Sequence, residues 1–320
     1  MATDPMVFLA PMAGITDLPY RTLVQEFGAD RVVSEMVASQ EMVQAKPGVR
    51  EKAELGLAVS GTAVQLAGRD ATWMARAAKL IEDQGATIID INMGCPAKKV
   101  TGGLSGSALM KTPDHALSLI EAVVGAVKVP VTLKMRLGWD DSCHNAASIA
   151  ARAEAAGIRL VTIHGRTRCQ FYTGSADWAA IAEVKQSVKI PVIANGDIVD
   201  LASAREALRQ SGADGVMIGR GAYGRPWAPA QIRAGLLGHE IPEAPTGAAL
   251  TNLVLRHQAL VLEFYGAQLG LKTFRKHLGW YFDGGGVDPV MRRKVLTESD
   301  PERVAEMIPE AFAAARQIAA

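Results

Sequence analysis

Short apolar runs recur through the first two-thirds of the chain, centred on residues 7–10, 31–33, 63–66, 88–91, 131–133, 160–163, 192–194 and 216–218. A polar or glycine-bearing segment follows each, and then a stretch with Ala, Leu and Ile at three- and four-residue spacing, as at 73–84, 115–127, 146–156 and 201–210. Runs that are apolar throughout, without alternation, predict strands covered on both faces. The helical stretches between them supply the crossovers that parallel neighbours need. Glycine leads the run in GATIIDINMG (85–94), GIRLVTIHGR (157–166) and GADGVMIGR (212–220), and proline leads it in VKVPVTLKMR (127–136) and VKIPVIANGD (188–197). These are the punctuation marks of a helix end and a strand start. Eight such units within about 220 residues predict an α/β chain built as a (β/α)8 TIM barrel, in preference to an open doubly wound sheet. Beyond Trp227 the strand pattern stops: 238–247 is rich in Pro and Gly, and the remainder is helical. The expected organisation is a barrel domain over 1–237 and a helical domain over 247–320.

Composition refines this picture only a little. The 320 residues are 49% apolar and 21% charged, and 34 basic against 33 acidic residues leave a net charge of +1. A globally cationic surface is excluded, so a nucleic-acid partner would need a local basic patch. Cys95, Cys143 and Cys169 are too few for a disulfide framework in so long a chain and imply a reducing compartment. No apolar run approaches the roughly 18 residues of a membrane helix, and Asp4 stands where a secretory signal would carry positive charge. A cytoplasmic protein with no membrane association is expected.

In a barrel the active site forms at the C-terminal strand ends. Those positions hold Pro11, Met12 and Ala13, then Glu35, Gln65, Asn92 with Cys95, Lys134 with Arg136, His164 with Arg166, Asn195 with Gly196 and Asp197, and Gly219 with Arg220. Loops after the last two strands commonly cradle a phosphate, and Gly196, Gly219 and Arg220 suit that role; the alternative is that the glycines only close tight turns. Gly219 to Gly224 also satisfies G-x-G-x-x-G, but no further strand or ribose-binding acid follows, so it is not a dinucleotide signature. Lys134 ends a buried strand and needs a counter-charge, either a bound anionic group or a barrel acid such as Asp90 or Glu35. His164 has no second histidine or carboxylate at ligand spacing, and no catalytic metal is expected. Cys95 is followed by Lys98, Lys99 and a glycine-rich stretch, with three lysines and no acid up to Lys111. Its thiol is a nucleophile, a proton donor or simply a small buried side chain.

Taken in order, APMAGITDLPYR (10–21), SEM (34–36), VQLAG (64–68), DINMGCPAKKV (90–100), LKMR (133–136), IHGRTR (163–168), IANGDI (193–198), MIGRGAYGRPW (217–227) and RKHLGWY (275–281) resemble the tRNA-dihydrouridine synthases, most closely their bacterial B-type branch. The resemblance spans the whole chain; its one departure is a short segment before the first strand, which bears on barrel capping and not on the site. It implies an FMN-dependent oxidoreductase that uses NADPH to reduce D-loop uridines of tRNA to 5,6-dihydrouridine, with no protein partner implied. It also implies that Pro11, Met12, Ala13 and Gln65 line the flavin, that Lys134 and His164 bond it, and that Asn195, Gly196, Asp197, Gly219 and Arg220 hold its phosphate side. Asn92 and Arg136 would orient the uracil, and Cys95 would be the general acid.

The chemistry is consistent with that implication. Hydride from reduced flavin N5 enters uracil at C6, because C5–C6 is conjugated to the C4 carbonyl, and the resulting enolate needs a proton at C5. An ordinary thiol is mostly protonated at neutral pH and is a competent donor. The +1 net charge also conceals a basic stretch: from Lys272 to Lys294 there are six basic residues, Arg275 and Lys276 among them, against two acids. With Lys98, Lys99, Lys111, Arg166 and Arg168 near the barrel mouth it forms a candidate tRNA path. Trp280 and Tyr281 within it either stack on RNA or dock the helical domain on the barrel. Competing readings are a flavoenzyme acting on a free pyrimidine or dihydroorotate, a tRNA-binding protein with a vestigial flavin, and a flavin-free phosphate-binding aldolase or isomerase.

Overall fold

The computed structural model describes residues 4–44 and 62–319, and side chains up to residue 315 with Lys99 excepted. Its strands are β1 (Met6–Leu9), β2 (Arg31–Val33), β3 (Val37–Ala38), β4 (Thr62–Ala67), β5 (Ile88–Met93), β6 (Val131–Arg136), β7 (Val161–His164), β8 (Val192–Asn195) and β9 (Gly215–Ile218). All pairings are parallel, and β2 to β4 closes the sheet through Val32↔Thr62 and Val33↔Ala63. The result is an eight-stranded TIM barrel with β3 as an added piece. The chain leaves the ladder at Ser34–Met36, and β3 then pairs higher on β4, Val37 opposite Leu66. This break, unmarked by glycine or proline, is absent from the apolar pattern. It is held by Ser34, whose amide donates to the Ala63 carbonyl at 2.9 Å and whose hydroxyl accepts from the Gln65 amide at 3.1 Å.

Helices occur where the spacing places them, with α3 at Ala71–Asp83, α5 at Pro113–Ala126, α6 at Ala146–Ala155 and α8 at Leu201–Ser211. Their ends are set by capping: Asp70 accepts from the Trp73 amide, and Asp200 and Ser203 form a reciprocal capping box. The two-residue period of each strand sorts side chains into two sets. Val7, Leu9, Val216 and Ile218 pack outward against helices, whereas Phe8, Ala10, Ala63, Ile193 and Met217 fill the barrel interior. Higher along the inward rows of β4 to β8 the residues turn polar, and this change of chemistry creates the site.

The C-terminal part is four helices, α10 (Gly247–Tyr265), α11 (Ala267–Gly284), α12 (Pro289–Thr297) and α13 (Pro301–Ala319). Their core includes Val261, Phe274, Leu278, Phe282, Ile308 and Phe312. They dock on α1 (Leu18–Phe27) and on the loop after β9. Trp280 stacks on Tyr223, with ring centroids 4.0 Å apart and planes 14° from parallel. Gly224 permits this approach, since a Cβ there would lie 2.7 Å from the Trp280 backbone. Tyr281 is buried with its hydroxyl 3.1 Å from His257 Nδ1. Of the two roles open to these aromatics in the sequence, the structure assigns them to docking. No helix among the described residues is long and apolar enough to cross a membrane.

The same interface buries His257 and His277 against Tyr20, with ring centroids 5.6 and 4.9 Å away. Neither His277 nitrogen has a hydrogen-bond partner among the described residues. Burial lowers His257 to about 3, and burial followed by the His257 and Lys276 charges holds His277 well below its usual value. Both rings therefore enter the fold neutral. Their contribution is complete above the unfolded histidine value of about 6.5 and declines as pH falls, for His257 by about 2 kcal/mol at pH 5. Asp17, raised to about 6 by burial, acts with the opposite sign and loses its contribution as pH rises through that value. The informative measurement is therefore a difference: a His277→Phe variant should show a pH-stability slope shallower by about one proton between pH 4 and 6. Parallel slopes would mean that His277 is already charged in the fold.

Candidate active site

The inward polar residues of β4 to β8 surround two connected lobes at the barrel mouth. One, of about 330 Å³, is lined by Gln65, Asn92, Cys95, Arg136, Phe171 and Tyr172 among others. The other, of about 610 Å³, is bounded by Asn195–Asp197 and Gly219–Gly221. Pro11, Met12, Lys134, His164, Tyr172 and Tyr223 line both lobes, so Lys134 and His164 stand at their junction. Ala13 lies on the wall of the smaller one.

A chain of amides fixes the first lobe. Thr132 and Gln65 donate to the Asp90 carboxylate at 2.6 and 2.7 Å, and Asn92 Nδ2 donates to Gln65 Oε1 at 2.7 Å. Burial first raises Asp90, with these hydrogen bonds and Lys134 opposing it, so this acid is satisfied locally. The other end of Asn92 accepts from the backbone amides of Gly94 and Cys95 at 3.2 and 3.0 Å. The Cys95 carbonyl accepts from Ser107 Oγ at 2.8 Å. The thiol is thus carried on a loop whose backbone is anchored on both sides. Arg136 donates to the Gly94, Thr167 and Phe171 carbonyls, each at 2.9 Å, and ties that loop to the one after β7.

Lys134 forms no ion pair among the described residues; it donates to Asn195 Oδ1 at 3.0 Å. Neither acid considered from sequence pairs with it: Asp90 is hydrogen-bonded to Gln65 and Thr132 and reaches Lys134 through its charge alone, and Glu35 accepts from the Gly14 amide. Burial, then the Arg136 charge, lower its ammonium to about 8. A bound anionic group would complete it. His164 is held well below its usual value, by burial first and then by Lys134, Arg136, Arg166 and Arg220, and is neutral at physiological pH.

In the second lobe, Asp197 receives Arg166 at 2.5 and 3.1 Å, Arg220 at 3.1 Å and the Ala176 amide at 2.8 Å. Burial pushes its pKa up, but these hydrogen bonds and charges together outweigh it and hold the carboxyl below the usual range. Asp197 is therefore a brace for Arg220 and carries no free donor for an anion. Gly196 has φ +112°, and a Cβ there would lie 2.8 Å from Ala176 and 3.1 Å from the His164 ring. At Gly219 a Cβ would meet only ordinary contacts, the nearest at 3.8 Å.

Other sequence-predicted residues lie apart. Lys98 opens a four-residue helix, α4 (Lys98–Thr101), and is exposed; the Lys99 side chain lies outside the described residues. Lys276 donates to the Gly14 carbonyl at the barrel rim, while Arg275 donates to the Glu298 carbonyl at 2.7 Å within the helical part. No group of three or more His, Cys, Asp or Glu able to hold a metal occurs among the described residues.

Residues 8–317 match the family described as dihydrouridine synthase (Dus). The chain belongs to the dihydrouridine synthase family. A probable tRNA-dihydrouridine synthase of Rhodobacter capsulatus is 61% identical over 310 residues, covering 97% of this chain and 95% of that one. tRNA-dihydrouridine synthase B of Pseudomonas syringae pv. tomato is 46% identical over 279 residues, 86% of this chain and 82% of its own. Among solved structures, histamine dehydrogenase from Rhizobium sp. 4-9 superposes with a TM-score of 0.55 over 79% of this chain and 48% of its own, at 13% identity. 2-Naphthoyl-CoA reductase gives 0.57 over 72% of this chain and 50% of its own, also at 13% identity. These two share the barrel fold.

In this member of the dihydrouridine synthase family, sequence reasoning missed several residues of the mouth: Met36, Phe171, Tyr172 and Tyr223 all line the Cys95 lobe. Met36 and Tyr223 lie in irregular connections. Phe171 and Tyr172 had a legible signal, two adjacent aromatics in a polar loop seven and eight residues beyond the end of β7.

Proposed function

We propose that the chain is a tRNA-dihydrouridine synthase that binds FMN at the barrel mouth and reduces D-loop uridines of tRNA, with NADPH as the electron source. The observation that carries the reading is Lys134, an ammonium in no ion pair among the described residues, at the junction of an anion-suited lobe and a lobe containing a cysteine. The names of the relatives support it.

The donor set suits a flavin. Pro11, Met12, Ala13 and Gln65 would line the ring, Lys134 would face its electron-rich edge, and neutral His164 with Asn195 would add hydrogen bonds. Gly196, Gly219 and Arg220 would receive the ribityl phosphate, with Asp197 orienting Arg220. When bound and reduced, the flavin supplies the hydride that enters uracil C6. Cys95 gives its proton to C5, which completes a two-electron, two-proton reduction. Asn92 holds the Cys95 loop and, with Arg136, presents hydrogen-bonding groups to the uracil edge. Lys134 stabilises negative charge in a site whose dipoles are already oriented.

The test has two parts. Purified protein should carry flavin absorbance, and a gene-deletion strain should lose dihydrouridine at defined tRNA positions that return with the restored gene. Equal turnover of free uridine and tRNA would instead identify a free-pyrimidine enzyme.

A further inference from the structure

The loop after β7 is held from beneath by two buried guanidinium groups. Arg136 donates to the carbonyls of Thr167 and Phe171, and Arg166 to those of Thr173 and Gly174. Four backbone acceptors within eight residues are thereby fixed, yet the side chains at the tip stay largely uncovered: Phe171 is 37% and Tyr172 51% exposed. Phe171 also has φ +56°, a conformation unfavourable for a bulky residue. A strained, rigidly supported aromatic that contributes little to a core points to a role at the surface.

The surroundings define that role. Phe171 lines the Cys95 lobe and meets Tyr172 edge to face, with centroids 5.9 Å apart. The Arg168 guanidinium lies 5.5 Å from the Phe171 ring and 4.9 Å from the Trp139 ring, and the Lys111 ammonium lies 5.0 Å from Trp139. Arg168 also donates to the Pro96 carbonyl at 3.4 Å, which links this cluster to the Cys95 loop. The nearby Asp140 turns back onto Ser142, at 2.7 Å. Aromatic faces alternating with cations at the lip of a cavity match a nucleotide, whose base stacks and whose phosphate is neutralised.

Resting on the proposed function, we propose that Phe171 is a stacking subsite for the base adjacent to the uridine that enters the cavity, with Arg168 and Lys111 receiving the phosphate beside it. Phe171 is then a positioning residue that holds the neighbouring nucleotide outside while the target base turns in.

The test uses flavin-loaded protein and an unmodified tRNA transcript whose reduced uridine has been mapped, together with transcripts carrying an abasic residue on either side of it. Phe171→Ala should weaken binding of the intact transcript by roughly 5- to 100-fold, the range for loss of one base–aromatic stack. Against the transcript abasic at the stacked position, wild type and variant should bind alike, and Phe171→Trp should retain affinity for the intact transcript. Phe171→Gly suits φ +56° and should be no less stable, yet should bind as weakly as the alanine variant. Unchanged binding by Phe171→Ala, with tRNA still reduced by the wild type, overturns the subsite and leaves the proposed function standing. Loss of stability in Phe171→Gly matching its loss of binding overturns it in favour of a structural role. Wild-type protein that neither binds nor reduces tRNA overturns both.

Discussion

Replacing Cys95 with alanine is expected to lower the rate of tRNA uridine reduction by about 10²- to 10⁴-fold, the usual effect of removing a positioned general acid. The surrounding geometry makes the experiment clean. The Cys95 loop is fixed through its backbone: Asn92 accepts from the Cys95 amide, and Ser107 donates to its carbonyl through both Oγ and N. None of these bonds involves sulfur, so deleting it should leave the loop, the flavin content and the melting temperature unchanged while proton delivery to C5 fails. Substrate binding should be nearly retained, so the loss should appear in kcat and not in KM. Full dihydrouridine levels in a strain carrying only the alanine variant would remove Cys95 from the mechanism.

The barrel was legible because parallel strands buried on both faces leave uninterrupted apolar runs, and all eight runs coincide with ladder strands. The strand-end residues were legible for a related reason. On β4 and β8 the inward row begins apolar, with Ala63 and Ile193, and ends polar, with Gln65 and Asn195, and the inward rows of β5, β6 and β7 likewise end polar, at Asn92, Lys134 and His164. Position after a run was thus enough to nominate them. What position leaves open is pairing across the barrel. Gln65, Asp90 and Asn92 join two strands through side chains 25 and 27 residues apart, and Lys134 meets Asn195 instead of either acid considered for it. A charge count has the same weakness. The basic stretch from 272 to 294 reads as one surface, yet Arg275 is turned into the helical part and Arg292 is paired with Asp283 at 2.6 Å, whereas Lys276 reaches the barrel rim. Trp280 and Tyr281 illustrate it for aromatics, since one-dimensional patterning cannot separate a ring that docks a helix from one that stacks on RNA.

Asp197→Asn is the second large effect, and it should appear in stability as well as in flavin retention. Arg166 is only 1% exposed and depends on Asp197 for its counter-charge, at 2.5 Å. Asparagine keeps the shape and tolerates the left-handed conformation of this position, φ +53°, so the variant removes the charge and little else. Stranding one partner of a buried pair typically costs 3–5 kcal/mol. The Asp197 carboxylate is 29% exposed, and solvent screening reduces the expectation to about 2–3 kcal/mol. Arg220, released from Asp197, would also lose its orientation toward the phosphate side of the cradle, so the purified variant should carry less flavin. The pH dependence has a definite sign. Because the folded carboxyl lies below its ordinary value of 3.8, its contribution is complete above that value and is lost as pH falls through the folded pKa. Wild type should therefore lose its advantage over Asp197→Asn progressively below about pH 4. Urea unfolding at pH 7.5 and across the acid range reads both effects, and a difference below about 0.5 kcal/mol at pH 7.5 would place Arg166 in a site that solvent or backbone carbonyls already neutralise.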